Sequence, residues 1–436
     1  MDESTQGKLL EPTVEFGTVR YRWVVFSLLS FIYMLVFFHR QAPAVLALDL
    51  MRDLNLKGAS LGLLSAAYFY PYAFIQIPSG AIVRSLGARR SLCIFFALAG
   101  FGAVGFSCTS SFFMALFFRV LVGVGAAMVL VPVLEIISAW FKHGEFTSMI
   151  GLLIGVAGLG VFAGAAPLSY LDALVGWRGS FMIVGAVSLL CVACLWLFVR
   201  NRPQELGYPA VDHEMEPVVT SGIRESATLS IQVLTSPAFW PPTIWAFLSL
   251  GIFISFGGLW GGPYLMHVHG LSKVDTGHVL GMLALGMIIG GPFLGLLAER
   301  VFKSRKKVLI GAGFILVLLT GSMVFGLDDF SLWGLFVWFG LLGLTTMAAA
   351  PLSLTLVRNA FPRELAGIAT GLANFFFIVG GALMQQGAGW ILDLRGYSIS
   401  GGSSGHYEYL FKVYFVCGVL ALLAALLARD EKSSSV

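Results

Sequence analysis

Residues 80–90 read GAIVRSLGARR, and residues 295–307 read GLLAERVFKSRKK. Each is a short, glycine-led, strongly basic stretch set between two long apolar runs. The first carries three arginines and no acid; the second places Glu299 beside Arg300. A chain that builds the same punctuation twice, half its length apart, is made of two related halves, and the apolar runs around the punctuation decide what the halves are.

Hydrophobic residues make up 58% of the 436 residues and charged residues 11%. Soluble domains carry about 25% charged residues, and a soluble fold of this size could not cover its surface with so few. A helix needs about 20 apolar residues to cross the hydrocarbon core of a bilayer. Twelve such runs occur, near 23–46, 60–83, 91–109, 112–139, 147–172, 178–199, 238–266, 275–298, 307–326, 331–356, 366–392 and 408–428. The short alternating segments of a membrane β-barrel are absent. The sequence therefore predicts an all-α membrane protein with twelve transmembrane helices in two six-helix pseudo-symmetric bundles. The expected divisions are a cytoplasmic tail over 1–22, an N-terminal bundle over 23–199, a cytoplasmic linker over 200–237, a C-terminal bundle over 238–428 and a cytoplasmic tail over 429–436. The linker is the longest polar interruption and holds Pro203, Pro209 and Pro217; the Gly/Ser-rich stretch at 398–409 reads as a flexible connection.

The net charge of +4 does not point to nucleic acid, because in a membrane protein the placement of Lys and Arg matters more than their sum. With the N-terminus inside, 19 of the 27 Lys and Arg residues fall on inner segments, six on outer ones, and Arg40 and Arg119 within spans. The expected place is a bacterial inner membrane with both termini cytoplasmic. The first 20 residues are polar and the first apolar run is too long for a signal-peptide core. Of the five cysteines, Cys191 and Cys194 form a C-x-x-C, but no His or Cys cluster accompanies them, so they read as packing residues. No metal site, cofactor or catalytic residue is expected: no H-E-x-x-H occurs, and no G-x-S-x-G with a partner histidine.

The halves also correspond around their fourth spans. Residues 123–153, GVGAAMVLVPVLEIISAWFKHGEFTSMIGLL, and 340–372, GLLGLTTMAAAPLSLTLVRNAFPRELAGIATGL, each run from glycines through a mid-span proline to a polar loop and a new glycine-rich span. Parallel repeats of this kind place a solute site near the midplane, between the halves.

The whole pattern resembles the major facilitator superfamily. That family's loop motif, G-x-L-A-D-R-x-G-R-R, is matched by Gly80, Gly87 and Arg90, with Arg84-Ser85 where the family has Asp-Arg, and more fully by Gly295, Leu297, Ala298, Glu299 and Arg300. Its fourth-span R-x-x-x-G-x-G appears as Arg119, Gly123 and Gly125, and GWRGSF at 176–181 resembles its entry to the sixth span. Within the family the first half is similar to the anion:cation symporter group, through FFHRQAPAVLALDL at 37–50 and GLLSAAYFYPYAFIQIPSGAIV at 62–83. Arg40 keeps that group's first-span arginine. The acid before it is His39 here, and the group's fourth-span glutamate is Ala126. The resemblance implies a secondary transporter that moves a small organic anion (a carboxylate, sugar acid or phosphate ester) by alternating access. It implies uptake coupled to a proton or sodium ion and a monomer in the lipid bilayer. An exporter of drug-like or siderophore solutes is a rival; its usual fifth-span Gly-Pro motif is replaced by GLGVFAGAAPL at 158–168. A rival of another class is a non-transporting receptor or scaffold.

Several residues stand out as candidates. An arginine within a span costs at least about 2.5–3.5 kcal/mol, so Arg40 is either a binder of substrate carboxylate or phosphate or a charge paired or snorkelling within the protein. Arg119 holds carbonyls and helices together or meets substrate. Glu135, three residues past Pro132, is either a proton relay or a helix-end acid paired with Lys142 or Arg358. His39 is either a titrating group or a neutral hydrogen-bonded one. Among the amides Gln76, Asn374, Gln385 and Gln386, which recognise hydroxyls or glue helices, Asn374 and Gln76 are taken as cavity residues. Tyr68, Tyr70 and Tyr72 straddle two faces of one helix, and Tyr72 is the one assigned to the cavity. The loop acid of the family helps close the inner side, so Glu299 and Arg300 are the expected inner latch, with Arg84 in the other half unable to serve. In GLWGGPYLMHVHG, 258–270, the Gly-Gly-Pro is expected to break the helix, with Trp260 and Tyr264 as an interfacial aromatic belt or an outer gate.

The charge split generates a first prediction. Single cysteines placed at 84–90 and 303–307 react with an impermeant thiol reagent from the cytoplasmic side only; labelling of either stretch from outside overturns the orientation.

Overall fold

The structure is a computed structural model that describes residues 3–209, 211, 223–398 and 403–429. Part of the linker, with Pro217, part of the Gly/Ser-rich connection and the tail beyond 429 lie outside the described residues. Among the described residues there is no strand.

The first half consists of α1 (Glu3–Asp53), α2 (Gly58–Gln76), α3 (Ser79–Leu86), α4 (Ala88–Ser107), α5 (Phe112–Ala127), α6 (Leu130–Trp140), α7 (His143–Ala163) and α8 (Ala166–Phe198). A short 3₁₀ turn at Pro203–Leu206 and α9 (Ile223–Thr235) precede the second half. That half runs through α10 (Trp240–Ile252), a π-helical segment Phe253–Trp260, α11 (Gly261–His267), α12 (Lys273–Leu296), a π turn Leu297–Val301, α13 (Arg305–Phe325), α14 (Leu332–Thr345), α15 (Ala350–Asn359), α16 (Arg363–Leu394) and α17 (Ser404–Leu427). Ten described stretches are long and apolar enough to cross a membrane. One of them, 143–198, is 56 residues long and holds two crossings, with Gly176 in a left-handed conformation (φ 70°) inside α8. With α2 as a further crossing, the helices fit the twelve expected.

The repeat has a structural signature. The fourth span of each half is interrupted at the same place, at Met128–Val129 between α5 and α6 and at Thr346–Ala349 between α14 and α15. Each interruption falls just before the proline, Pro132 or Pro351, that the sequence places in mid-span. Proline has no N–H and its ring collides with the carbonyl four residues back, so the helix yields there and restarts with proline in its first turn.

Two expectations change. The stretch 80–90 is not a loop: α3 runs to Leu86 and α4 starts at Ala88, with Gly87 (φ 82°) the only residue between them. A single left-handed glycine suffices to turn the chain, so no longer connection is needed. The Gly-Gly-Pro at 261–263 does not break its helix either. The preceding turns widen into the π-helical segment, the Gly261 N–H reaches the Phe256 carbonyl, and Pro263 sits in the first turn of α11, where its missing N–H leaves no partner stranded.

The two halves meet tightly at the end of the molecule opposite the basic stretches, here called the closed end. Asp393 of α16 accepts the backbone N–H of Gly58 at 2.7 Å and of Ala59 at 2.8 Å, capping α2, whose own N-cap residue Lys57 supplies no side-chain bond. Beside this cap the α2 and α16 backbones touch: a Cβ on Gly389 would strike the Gly58 carbonyl. Likewise a Cβ on Gly262 would strike the Ala44 carbonyl of α1. Lys273, at the start of α12, bridges Asp49 of α1 and Asp172 of α8, the latter at 2.5 Å. At the opposite, basic end the halves stand apart: added Cβ atoms on Gly151, Gly295, Gly367 and Gly371 would meet nothing within 4 Å.

The cap on α2 joins a carboxylate to a helix N-terminus, a contact worth up to about 2 kcal/mol when partly buried. Asp393→Asn weakens it and favours opening of this end. Double electron–electron resonance between spin labels at Ser110 and Asp329 reads the change as a grown long-distance population. An unchanged distribution means the cap does not hold the end closed.

Candidate functional site

Between the halves lies a cavity of about 510 Å³, within the range of small-molecule sites. It begins beneath the closed end and runs toward the basic end, where Gly151, Gly291 and Gly295 line it. Arg40, Tyr72, Gln76 and Asn374 all line it, so the structure brings together the four residues assigned to substrate.

Arg40 is the cavity's one charged side chain. Its guanidinium carbon lies 4.4 Å from the Tyr72 ring centroid and 4.6 Å from that of Phe37. These distances are within reach of cation–π attraction. Its Nε has no hydrogen-bond partner, and among the described residues no carboxylate pairs with it. Among the described residues, what the protein sets against this cation is aromatic, ring faces and the Tyr68 hydroxyl, and none of it is an acid. Tyr33 and Phe37 stand seven and three residues before Arg40 on α1 and line the same cavity; they went unnoticed in the sequence, although i, i+4, i+7 spacing puts them on Arg40's face.

Gln76 and Asn374 meet each other: the Asn374 amide donates to the Gln76 carbonyl oxygen, joining α2 to α16 along the cavity wall. The other amides act as glue. Gln385 donates to the Ile254 carbonyl at 3.0 Å, and Gln41 of α1 donates to the Gly257 carbonyl at 2.8 Å. Both acceptors belong to the π-helical segment. Gln386 accepts from Tyr70 at 2.7 Å. Of the tyrosine cluster only Tyr72 lines the cavity; Tyr68 is fully buried and donates to the Val36 carbonyl at 3.3 Å.

The five coupling or gating candidates lie outside the cavity lining. Arg119 is buried, with both terminal nitrogens near the His39 carbonyl at 3.4 and 3.5 Å and the Tyr68 ring 5.5 Å away. This tie between α5 and α1 borders a small void of about 10 Å³. His39 is buried beside Phe38 and Phe181, with neither ring nitrogen partnered. Glu135 is not deep in the bundle but exposed toward the basic end, where Arg84 and Arg202, rather than Lys142 or Arg358, are the charges acting on it. The restart of the helix after Met128 carries it out toward that end. Glu299 and Arg300 are exposed on the π turn after α12, and neither forms an ion pair among the described residues. Trp260 and Tyr264 are not an interfacial belt: both are fully buried, Trp260 donating to the Gln385 carbonyl at 3.0 Å and Tyr264 to Asp328 at 2.6 Å. Contacts of the π-helical segment with α16 and α1, and of α11 with α1, turn this stretch inward, which a periodicity reading of one span could not reveal.

The site is thus a cavity that runs toward the basic end and holds one cation that, among the described residues, no acid pairs with. Comparison with known proteins agrees with this architecture. The chain is 25% identical over 383 residues to the membrane sensor protein UhpC of Escherichia coli, spanning 83% of this chain and 82% of that one. It is 23% identical over 401 residues to the probable galactarate/D-glucarate transporter GudP of Bacillus subtilis, spanning 86% of each. Among solved structures, a bacterial homologue of the human lysosomal transporter Spinster, captured inward-facing and unoccupied, superposes with a TM-score of 0.72 at 19% identity, covering 93% of this chain and 96% of that one. The nucleoside transporter NupG superposes with a TM-score of 0.74 at 11% identity over 93% of this chain and 99% of that one. Residues 28–385 match the Major Facilitator Superfamily as a family. The chain is an integral, multi-pass membrane protein and not an enzyme: it belongs to the Major Facilitator Superfamily of membrane transporters.

Proposed function

We propose that the protein carries a small organic anion across the membrane by alternating access, binding its carboxylate or phosphate at Arg40. The observation behind this reading is the guanidinium left without an acid in an otherwise uncharged cavity. A charge so costly within the bilayer is retained where something from outside pairs with it. Relatives named as transporters of galactarate/D-glucarate, sulfoacetate and tartrate support an anionic solute. The two halves form two six-helix bundles joined by the linker, and the protein sits as a monomer in a bacterial inner membrane with both termini in the cytoplasm. The basic stretches then mark the cytoplasmic side, and the cavity faces inward. Glu299 and Arg300 are the latch of the inner side, unengaged while that side is open. Uptake is coupled to a cation, as in the symporter group. No acid lines the cavity, and His39 lies outside it, buried beside the Arg119 cation with neither ring nitrogen partnered, which favours sodium over a proton as the coupling ion.

Arg40→Lys keeps the charge and loses the fork. For the tightest ligand found in a thermal-shift screen of carboxylates, sugar acids and phosphates, affinity falls by about 1.5–3 kcal/mol, roughly tenfold to more than a hundredfold. The melting temperature without ligand stays put, because no ion pair is broken and the lysine cation keeps the aromatic faces beside it. Lost stability with intact affinity would sink the assignment.

Proton coupling through His39 has its own test. In proteoliposomes His39→Gln leaves the stimulation of uptake by an inward cation gradient, and the exchange of labelled for unlabelled ligand, as in the parent protein. Loss of stimulation by a proton gradient with exchange spared puts His39 in the coupling path.

A second reading is favoured by UhpC, a relative named as a sensor. A receptor binds the anion at Arg40 and moves none of it, so ligand-induced stabilisation with no flux into proteoliposomes selects it.

A further inference from the structure

The rest of the cavity wall says what else the solute must be. Of the 29 residues lining the cavity, 23 have no nitrogen or oxygen in the side chain, and none is Ser, Thr, Asp, Glu, Lys or His. Phe69, Phe253 and Phe377 come from three different helical segments, and Met287 and Met347 fill between them. The polar side chains besides Arg40 are few and partly used: Gln41 spends its N–H₂ on the Gly257 carbonyl, and Gln76 and Asn374 are bonded to each other. Two tyrosine hydroxyls, of Tyr33 and Tyr72, complete the set.

Such a wall cannot satisfy a polyol. A hexaric acid brings two carboxylates and four hydroxyls. One guanidinium answers one carboxylate; the second anion has no cation, and most hydroxyls would trade water for phenyl rings and methyl groups. Each hydroxyl stranded in this way weakens binding by about tenfold or more. A rigid apolar body instead gains from every ring and methyl it covers, and thioethers adapt to its outline.

We propose that the solute is a monoanion with an apolar body, an aryl or branched-alkyl carboxylate rather than a sugar acid. Its carboxylate sits on Arg40 beneath the closed end, and its body lies along Phe253, Phe377 and Met287. This rests on the assignment of Arg40 as the anion-binding residue. It departs from what the names of the sugar-acid relatives suggest, because the polar groups a sugar acid needs are missing from the lining.

The test uses the purified full-length protein and a fixed set of probes: phenylacetate, 4-methylpentanoate, D-glucarate, L-tartrate and the uncharged phenylacetamide. Affinities come from ligand-induced stabilisation. Phenylacetate or 4-methylpentanoate binds at least tenfold tighter than D-glucarate or L-tartrate, and phenylacetamide binds at least tenfold more weakly than phenylacetate. Glucarate or tartrate binding as tightly as the apolar acids overturns the apolar-body inference and leaves the organic-anion reading in place. Phenylacetamide binding as well as phenylacetate overturns the organic-anion reading itself, since the site then ignores charge. No stabilisation by any of the acids overturns both.

Discussion

The close meeting of α2 and α16 at one end of the molecule governs the rest of the structure. Two helix backbones can approach this far only where side chains are missing, at Gly58 and Gly389, and only where the exposed N–H groups at the start of α2 find an acceptor. Asp393 supplies it from the other half. With that end sealed, and sealed again by Lys273 between Asp49 and Asp172, the space between the halves has one opening. Arg40 then lies at the bottom of a cavity rather than along a channel.

Within the membrane every backbone polar group released from a helix must be satisfied by protein, and the second half shows how this constrains its side chains. The π-helical turns at Phe253–Trp260 widen the helix beside the cavity. Gln41 and Gln385 bond to carbonyls of that segment, one from each half. The cavity's shape and the bonds that hold the halves together thus share a cause. Proline breaks do similar work in the fourth spans, where helix restarts after Met128 and Thr346 redirect the following turns. In the first half this moves Glu135 out of the bundle.

The contrast between Arg40 and Arg119 shows why an arginine in a span cannot be interpreted from its cost alone. Both are expensive. Arg119 is enclosed, near a backbone carbonyl and aromatic rings, and acts as a tie between helices. Arg40 lies against aromatic rings too, but it lines the cavity and, among the described residues, pairs with no acid. On the proposed reading, the charge without an acid receives the anionic end of a ligand, and the apolar lining receives the rest of it.

The amino-acid sequence by itself determined that this is a helical membrane protein of two related halves, because length and hydropathy of a span, proline position and basic punctuation are local properties that a bilayer reads directly. It also marked Arg40, Tyr72, Gln76 and Asn374, since polar groups within apolar runs are conspicuous. Only the tertiary structure decided that these four share one cavity, that Asn374 bonds Gln76, that His39 and Arg119 lie outside it, and that Trp260 and Tyr264 point inward. Tertiary structure also showed that Asp393, unremarkable at the end of a span, caps a helix more than three hundred residues away in the chain. Those facts depend on which helix faces which across the two halves, and a span's own periodicity gives the direction of a face without naming what lies opposite.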